Sequence, residues 1–159
     1  MSTFTKAEGT GHQHAPIAVV GRTAVVGVVA GLVFGVLLQL VIGRMTAIGA
    51  MYTLGEPSLT VGWVAHVFHS ALFGAFFGLL ADTSRLRDAA TRLVPAAGLG
   101  AAYAAGLWAV NVVFVWPLWL NATTFGTQIP LPNLASMPLV GHLVWGVILG
   151  AGTAIALSR

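Results

Sequence analysis

Six polar side chains stand inside otherwise apolar runs of this sequence: Gln39, His66, His69, Ser70, Asn111 and His142. Their types set the chemistry open to them. An imidazole changes charge near pH ~6.5 and can pass a proton along a relay. Two imidazoles that face each other across a helix bundle can ligate haem b, and His142 with His66 or His69 could supply them. Zinc needs three or four ligands. His66 and His69 are neighbours on one helix, the chain has no cysteine, and no carboxylate falls in the same runs, so no metal set is assigned. Glu56 lies between apolar runs and Asp82 at the far end of one. No nucleophile, base and acid come together, and the chain is read as a non-enzyme. The remaining chemistry is hydrogen bonding between helices, at about 0.6 kcal/mol per contact, or the lining of a polar vestibule.

Spacing then supplies faces. His66, Ser70, Gly74 and Gly78 recur every fourth residue, and Pro138, His142, Gly146, Gly150 and Ala154 repeat that register. In a helix, residues four apart share one face. Each face begins polar and ends in glycine. The glycines Gly74, Gly78, Gly146 and Gly150 predict close helix packing. The polar groups predict a pocket at one depth. By a rise of 1.5 Å per residue, His142 sits about 6 Å inside its run, His66 about 9 Å and His69 about 13 Å. Polar side chains at such depth turn towards the bundle interior or a water-filled cavity.

The elements that position these residues follow from composition. The chain has 159 residues, of which 57% are hydrophobic and 7% charged, far below the ~25% charged of a soluble domain. This is the composition of an all-α integral membrane protein. Four apolar segments, 23–43, 60–81, 96–119 and 138–157, each have roughly the 20 residues that cross a bilayer as a helix. Residues 1–16, with Lys6, His12 and His14, are polar and aperiodic and read as a disordered cytoplasmic tail; residues 17–159 form the membrane domain. The first apolar run is too long for the core of a signal peptide.

Charge gives orientation. Lys6, Arg22, Arg85, Arg87, Arg92 and Arg159 fall on one side of a four-span topology, and Arg44 alone falls on the other. The positive-inside rule places both termini and the middle loop in the cytoplasm of a cell-membrane protein. The basic residues therefore set topology rather than bind nucleic acid. Asp82 and Asp88 are expected to pair with the arginines of their loop. Trp63, Trp116 and Trp119 lie near the external boundary and read as an aromatic belt. Gln39, His66, His69, Ser70, Asn111 and His142 then all fall in the outer half of the bundle.

A shift of 72 residues superposes more than the glycines. Gln39 falls on Asn111, and Phe73-Gly74 on Trp145-Gly146; at a shift of 75, Glu56-Pro57-Ser58-Leu59 matches Leu131-Pro132-Asn133-Leu134. Each half is a two-helix hairpin that returns to its starting side. The fold expected is four transmembrane helices built as two tandem parallel repeats about an axis along the membrane normal.

The run from Pro132-Asn133-Leu134 to Gly141-His142-Leu143-Val144-Trp145 resembles the GHLVW segment of the YagU-type inner-membrane proteins. The stretch Leu54-Gly55-x-Pro57-Ser58-Leu59, leading into Gly62-Trp63-Val64-x-His66-x-x-His69-Ser70, is similar to small four-helix membrane proteins of haloarchaea and bacteria. The likeness covers residues 25–155 and implies the four-helix membrane fold. Some members of that group carry a histidine-kinase label. The 159 residues leave no room for a kinase ATP-binding domain, and a membrane histidine is not thereby a phosphoacceptor.

Three functions fit these residues. The first is a structural, accessory or sensory membrane protein with a polar pocket in its outer half. The second is a small-solute or proton-linked channel or transporter. The third is a haem-binding electron carrier. The partners expected are the lipid bilayer and a second copy of the chain or a membrane subunit.

Overall fold

The computed structural model describes residues 16–123 and 128–158, and every regular element among them is helical. The tail carrying Lys6, His12 and His14, and Arg159, lie outside the described residues. The elements are α1 (Pro16–Leu40), α2 (Met45–Ala50), α3 (Leu59–Ala81), α4 (Arg87–Ala90), α5 (Leu93–Val110), a π-helical segment (Asn111–Val115), α6 (Trp116–Thr123) and α7 (Ser136–Leu157). Four helical stretches are long and apolar enough to cross a membrane: Ile17–Leu40, Leu59–Ala81, Leu93–Thr123 and Ser136–Leu157.

Their ends differ from the apolar runs for local reasons. α1 begins at Pro16, where a missing N–H costs a helix nothing, and so takes in Arg22. The Arg22 guanidinium reaches along the bundle and donates to the Ala156 carbonyl near the end of α7 at 2.9 Å, a long side chain carrying its charge to the helix end. α1 stops at Leu40 because Gly43 enters the left-handed region at φ +68°, which glycine adopts without steric cost. The Arg44 N–H then reaches back to the Leu38 carbonyl. α3 starts at Leu59 because the Ser58 hydroxyl accepts from the Val61 N–H, an N-cap.

The third stretch continues to Thr123, past Pro117. Proline has no N–H and crowds the carbonyl four residues back, which here is Val113. The chain answers with one π turn, in which the Trp116 N–H bonds to Asn111. The Val113 carbonyl accepts the N–H of Asn133 from the α6–α7 connection at 3.0 Å.

α1 packs along α3, α5 along α7, and α1 along α7; α3 and α5 do not run in contact. The long helices therefore stand in the order α3–α1–α7–α5, a row curved so that α3 and α5 approach only through side chains. Glycine sets the two tightest crossings. A Cβ on Gly74 would strike the backbone of Thr23 and Gly27, and one on Gly146 would strike Gly100 and Ala104. Below these lie Phe77, Leu149 and Ala81, all buried. The outward faces stay apolar: Val29, Phe68, Val94, Phe114 and Val147 are all exposed, a surface suited to hydrocarbon. At the α4 end, Asp82 pairs with Arg87, and Asp88 with Arg92 at 3.4 Å.

Candidate functional site

At the α2 end the curved row encloses a cavity of about 630 Å³, within the ~300–1,000 Å³ of small-molecule sites. Its walls come from α1, α3, the π segment and α7. α2 and residues 128–135 cover it, and Trp145 lies at its base. His66, His69, Ser70, Asn111 and His142 all line it.

Gln39 does not. Leu38 takes the inward position on α1, and Gln39, one residue and about 100° on, is exposed. Its Oε1 accepts from Trp63 Nε1 at 2.7 Å, so it ties α1 to α3 on the outside of the bundle.

Each histidine is held differently. His66 Nε2 is 2.9 Å from the Gly31 carbonyl. A carbonyl only accepts, so Nε2 carries the proton and Nδ1 keeps the lone pair of the neutral ring. His142 has the opposite tautomer: Nδ1 donates to the Pro138 carbonyl at 2.8 Å, leaving the Nε2 lone pair free of that bond. His69 Nε2 is 2.7 Å from the Tyr52 hydroxyl. Partial burial pushes the Tyr52 phenol above its usual pKa, so at neutral pH it is a hydroxyl and can donate. Ser70 turns its hydroxyl back onto the His66 carbonyl at 2.8 Å. It fills the space opposite Gly31, where a Cβ would strike the serine side chain.

The Phe34 ring stands beside both inner histidines, edge-on, with centroids 5.4 Å from His66 and 5.0 Å from His142. Gly141 admits it, since a Cβ there would overlap the phenyl ring. Phe34 thus packs against both of the imidazoles that a bis-histidine haem site would use. Among the described residues no three His, Asp or Glu side chains form a metal-binding group.

The cover is fastened at several points. Asn121 makes two bonds to Ile129, Nδ2 to its carbonyl at 2.9 Å and Oδ1 from its N–H at 2.8 Å. Trp108 Nε1 donates to the Ala135 carbonyl at 3.1 Å. Trp119 Nε1 donates to the Met51 carbonyl at 2.7 Å, and its ring lies 5.6 Å from that of Tyr52. Together with the bond from Asn133 to Val113, these fix residues 128–135 and α2 above the histidines.

Several lining residues escape a reading by sequence depth: Phe34, Arg44, Tyr52, Trp116, Trp119 and Trp145. Trp116 and Trp119 serve the cavity as well as the boundary at which an aromatic belt would lie. Arg44 carried a signal, as the one cation at its end of the topology. Tyr52 carried none.

No family model, no curated protein and no solved structure matches the chain, so the functional reading rests on this geometry.

Proposed function

We propose that the chain is a multi-pass integral membrane protein of the cell membrane that holds a small molecule in its outer half, in an accessory or sensory role and without catalysing a reaction. The observation that carries this reading is the cavity. It gathers three imidazoles around a roofed space, and the Asn111 carboxamide on its wall has no hydrogen-bond partner among the described residues. Polar side chains at membrane depth are costly unless a ligand or water meets them.

A transport path finds less support. Towards the α4 end the helices meet at Gly27 with Gly74 and at Gly100 with Gly146, and Trp145 at the base of the cavity is backed by Tyr103, rings 6.3 Å apart. The packing of Phe34 against both His66 and His142 counts against bis-imidazole haem.

The tandem-repeat reading is supported by the matching crossings. Gly74 on α3 and Gly146 on α7 are 72 residues apart, and each meets a glycine of the preceding long helix. The orientation proposed has both termini and the Asp82–Arg92 loop cytoplasmic, on the distribution of the basic residues. It makes the α2 end external. A kinship with the YagU-type four-helix proteins is proposed on the same terms.

Native mass spectrometry of the full chain released from mild detergent tests the binding reading. A bound small molecule is expected on the wild type and its loss on His142→Ala, with the helical signal unchanged. A wild type that carries nothing and takes up nothing from a lipid extract would overturn it. A Soret band in the purified protein would instead restore haem.

A further inference from the structure

The lining of the cavity reaches the outer surface of the bundle at Leu72 and Val115. α3 and α5 do not pack along their length, and side chains such as Tyr103 bridge the interval between them. Towards the α4 end the Tyr103 hydroxyl donates to the Phe73 carbonyl at 3.0 Å, and its ring lies 5.4 Å from Phe77. Towards the α2 end, Tyr52 and Trp119 form the strap described above. Between these two ties, Leu72 on α3 and Val115 on the π segment line the cavity and are each 37% exposed. In a chain that spans a bilayer, that side meets acyl chains rather than water.

The charge in the cavity has one sign. Arg44 lines it, no aspartate or glutamate does, and among the described residues Arg44 forms no ion pair or hydrogen bond through its guanidinium. It is placed at the start of α2, at the membrane surface, by the turn through Gly43. The deeper wall is aromatic, with Phe34, Phe73 and Trp145. One end of the space thus suits an anion at the interface, and the other an apolar body at the depth of the histidines.

We propose that the cavity takes up a single-chain anionic amphiphile from the outer leaflet, through the opening between α3 and the π segment. Its chain packs against Phe34 and Phe73 and its carboxylate pairs with Arg44. The volume of about 630 Å³ admits one acyl chain. Arg44 is an exposed residue of the lining, and a carboxylate that reaches it can accept two of its N–H groups at once, which the hydroxyl of a neutral lipid does not. This inference rests on the reading of the cavity as a binding site and adds the ligand class and the route.

A photoreactive long-chain fatty acid and its fatty-alcohol counterpart test it, each supplied in phosphatidylcholine vesicles carrying the full chain. The acid is expected to label peptides of α3 and the π segment, in competition with unlabelled fatty acid. Arg44→Gln is expected to weaken labelling by the acid about tenfold, while Arg44→Lys retains most of it and the alcohol labels both variants alike. Val115→Trp, which narrows the opening, is expected to slow labelling without removing its dependence on Arg44. Equal labelling of the wild type by acid and alcohol, or an Arg44→Gln variant that behaves as wild type, overturns the ligand class. An unchanged rate in Val115→Trp overturns the route. Labelling by neither probe overturns the inference as a whole. In that case a molecule still found by native mass spectrometry leaves the binding reading standing, and none found removes both.

Discussion

The N–H of Asn133 bonds to the carbonyl of Val113, the carbonyl that Pro117 denies its α-helical donor. One proline thereby does two things. It widens the third long helix by a π turn at the level of Asn111, and it frees an acceptor to which the roof of the cavity is fastened. π turns inside helices recur at functional sites for the same reason, a backbone group released and a wall displaced.

Pro117→Ala restores the donor to Val113, so the Asn133 amide loses its partner to competition. Hydrogen exchange at Asn133 is expected to rise by about fivefold while exchange along α7 stays unchanged, since one hydrogen bond is worth about 1 kcal/mol net. Undiminished protection of Asn133 would show that the roof is held by other bonds alone.

Packing of the glycine crossings is tested by volume. Gly146→Leu pushes a side chain into Gly100 and Ala104, whereas Val147 is 45% exposed on the outer face. Gly146→Leu is expected to cost about 1–3 kcal/mol or to prevent assembly, and Val147→Leu close to nothing. Thermal unfolding in detergent compares them, and equal midpoints would refute the close crossing.

Two histidines differ in what they join. The His66 ring ties α3 to α1 through Gly31 and is 7% exposed, while His69 reaches only the exposed Tyr52 on the α2 side. His66→Ala is expected to lower the unfolding midpoint more than His69→Ala, with a loss on the order of 1 kcal/mol from one interhelical bond and the space left behind. The reverse order would mean that the Tyr52 strap, not the α1–α3 seam, limits stability.

The orientation is open to direct chemistry. Thr91→Cys and Glu56→Cys place single thiols at exposed positions at opposite ends of the bundle. With a membrane-impermeant thiol reagent in whole cells, Glu56→Cys is expected to react and Thr91→Cys only after lysis. The opposite pattern inverts the topology.

The sequence discloses faces better than it discloses neighbours. The four-residue spacing of His66, Ser70, Gly74 and Gly78 suffices to find the inner face of α3, where all four are buried. Spacing on one helix says nothing about rotation against another. Gln39 shares the depth of the histidines yet turns outward, and Leu38 beside it turns in. Phe34 reads as one more apolar residue of a span, and only Gly141, more than a hundred positions later, makes room for its ring. Tyr52 and Trp119 meet because α2 folds back over the gap, a consequence of Gly43 that no periodicity carries. Pro117 stands in an apolar run that reads as one continuous span, and the partner of the carbonyl it frees lies in a connection whose path depends on the tertiary fold.

The order α3–α1–α7–α5 also bears on how the molecule is made. α1 is the first of the long helices to be synthesised and α7 the last, and among the described helices their seam alone joins the two hairpins along its length. Each hairpin can close within the bilayer once its own second helix arrives. The chamber cannot, because Phe34 and His142, on opposite sides of that seam, must both be present. A chain halted before α7 therefore displays Val26, Ala30 and Phe34 to lipid as an unmet face, and biogenesis factors that retain unassembled spans have a surface by which to recognise an unfinished copy.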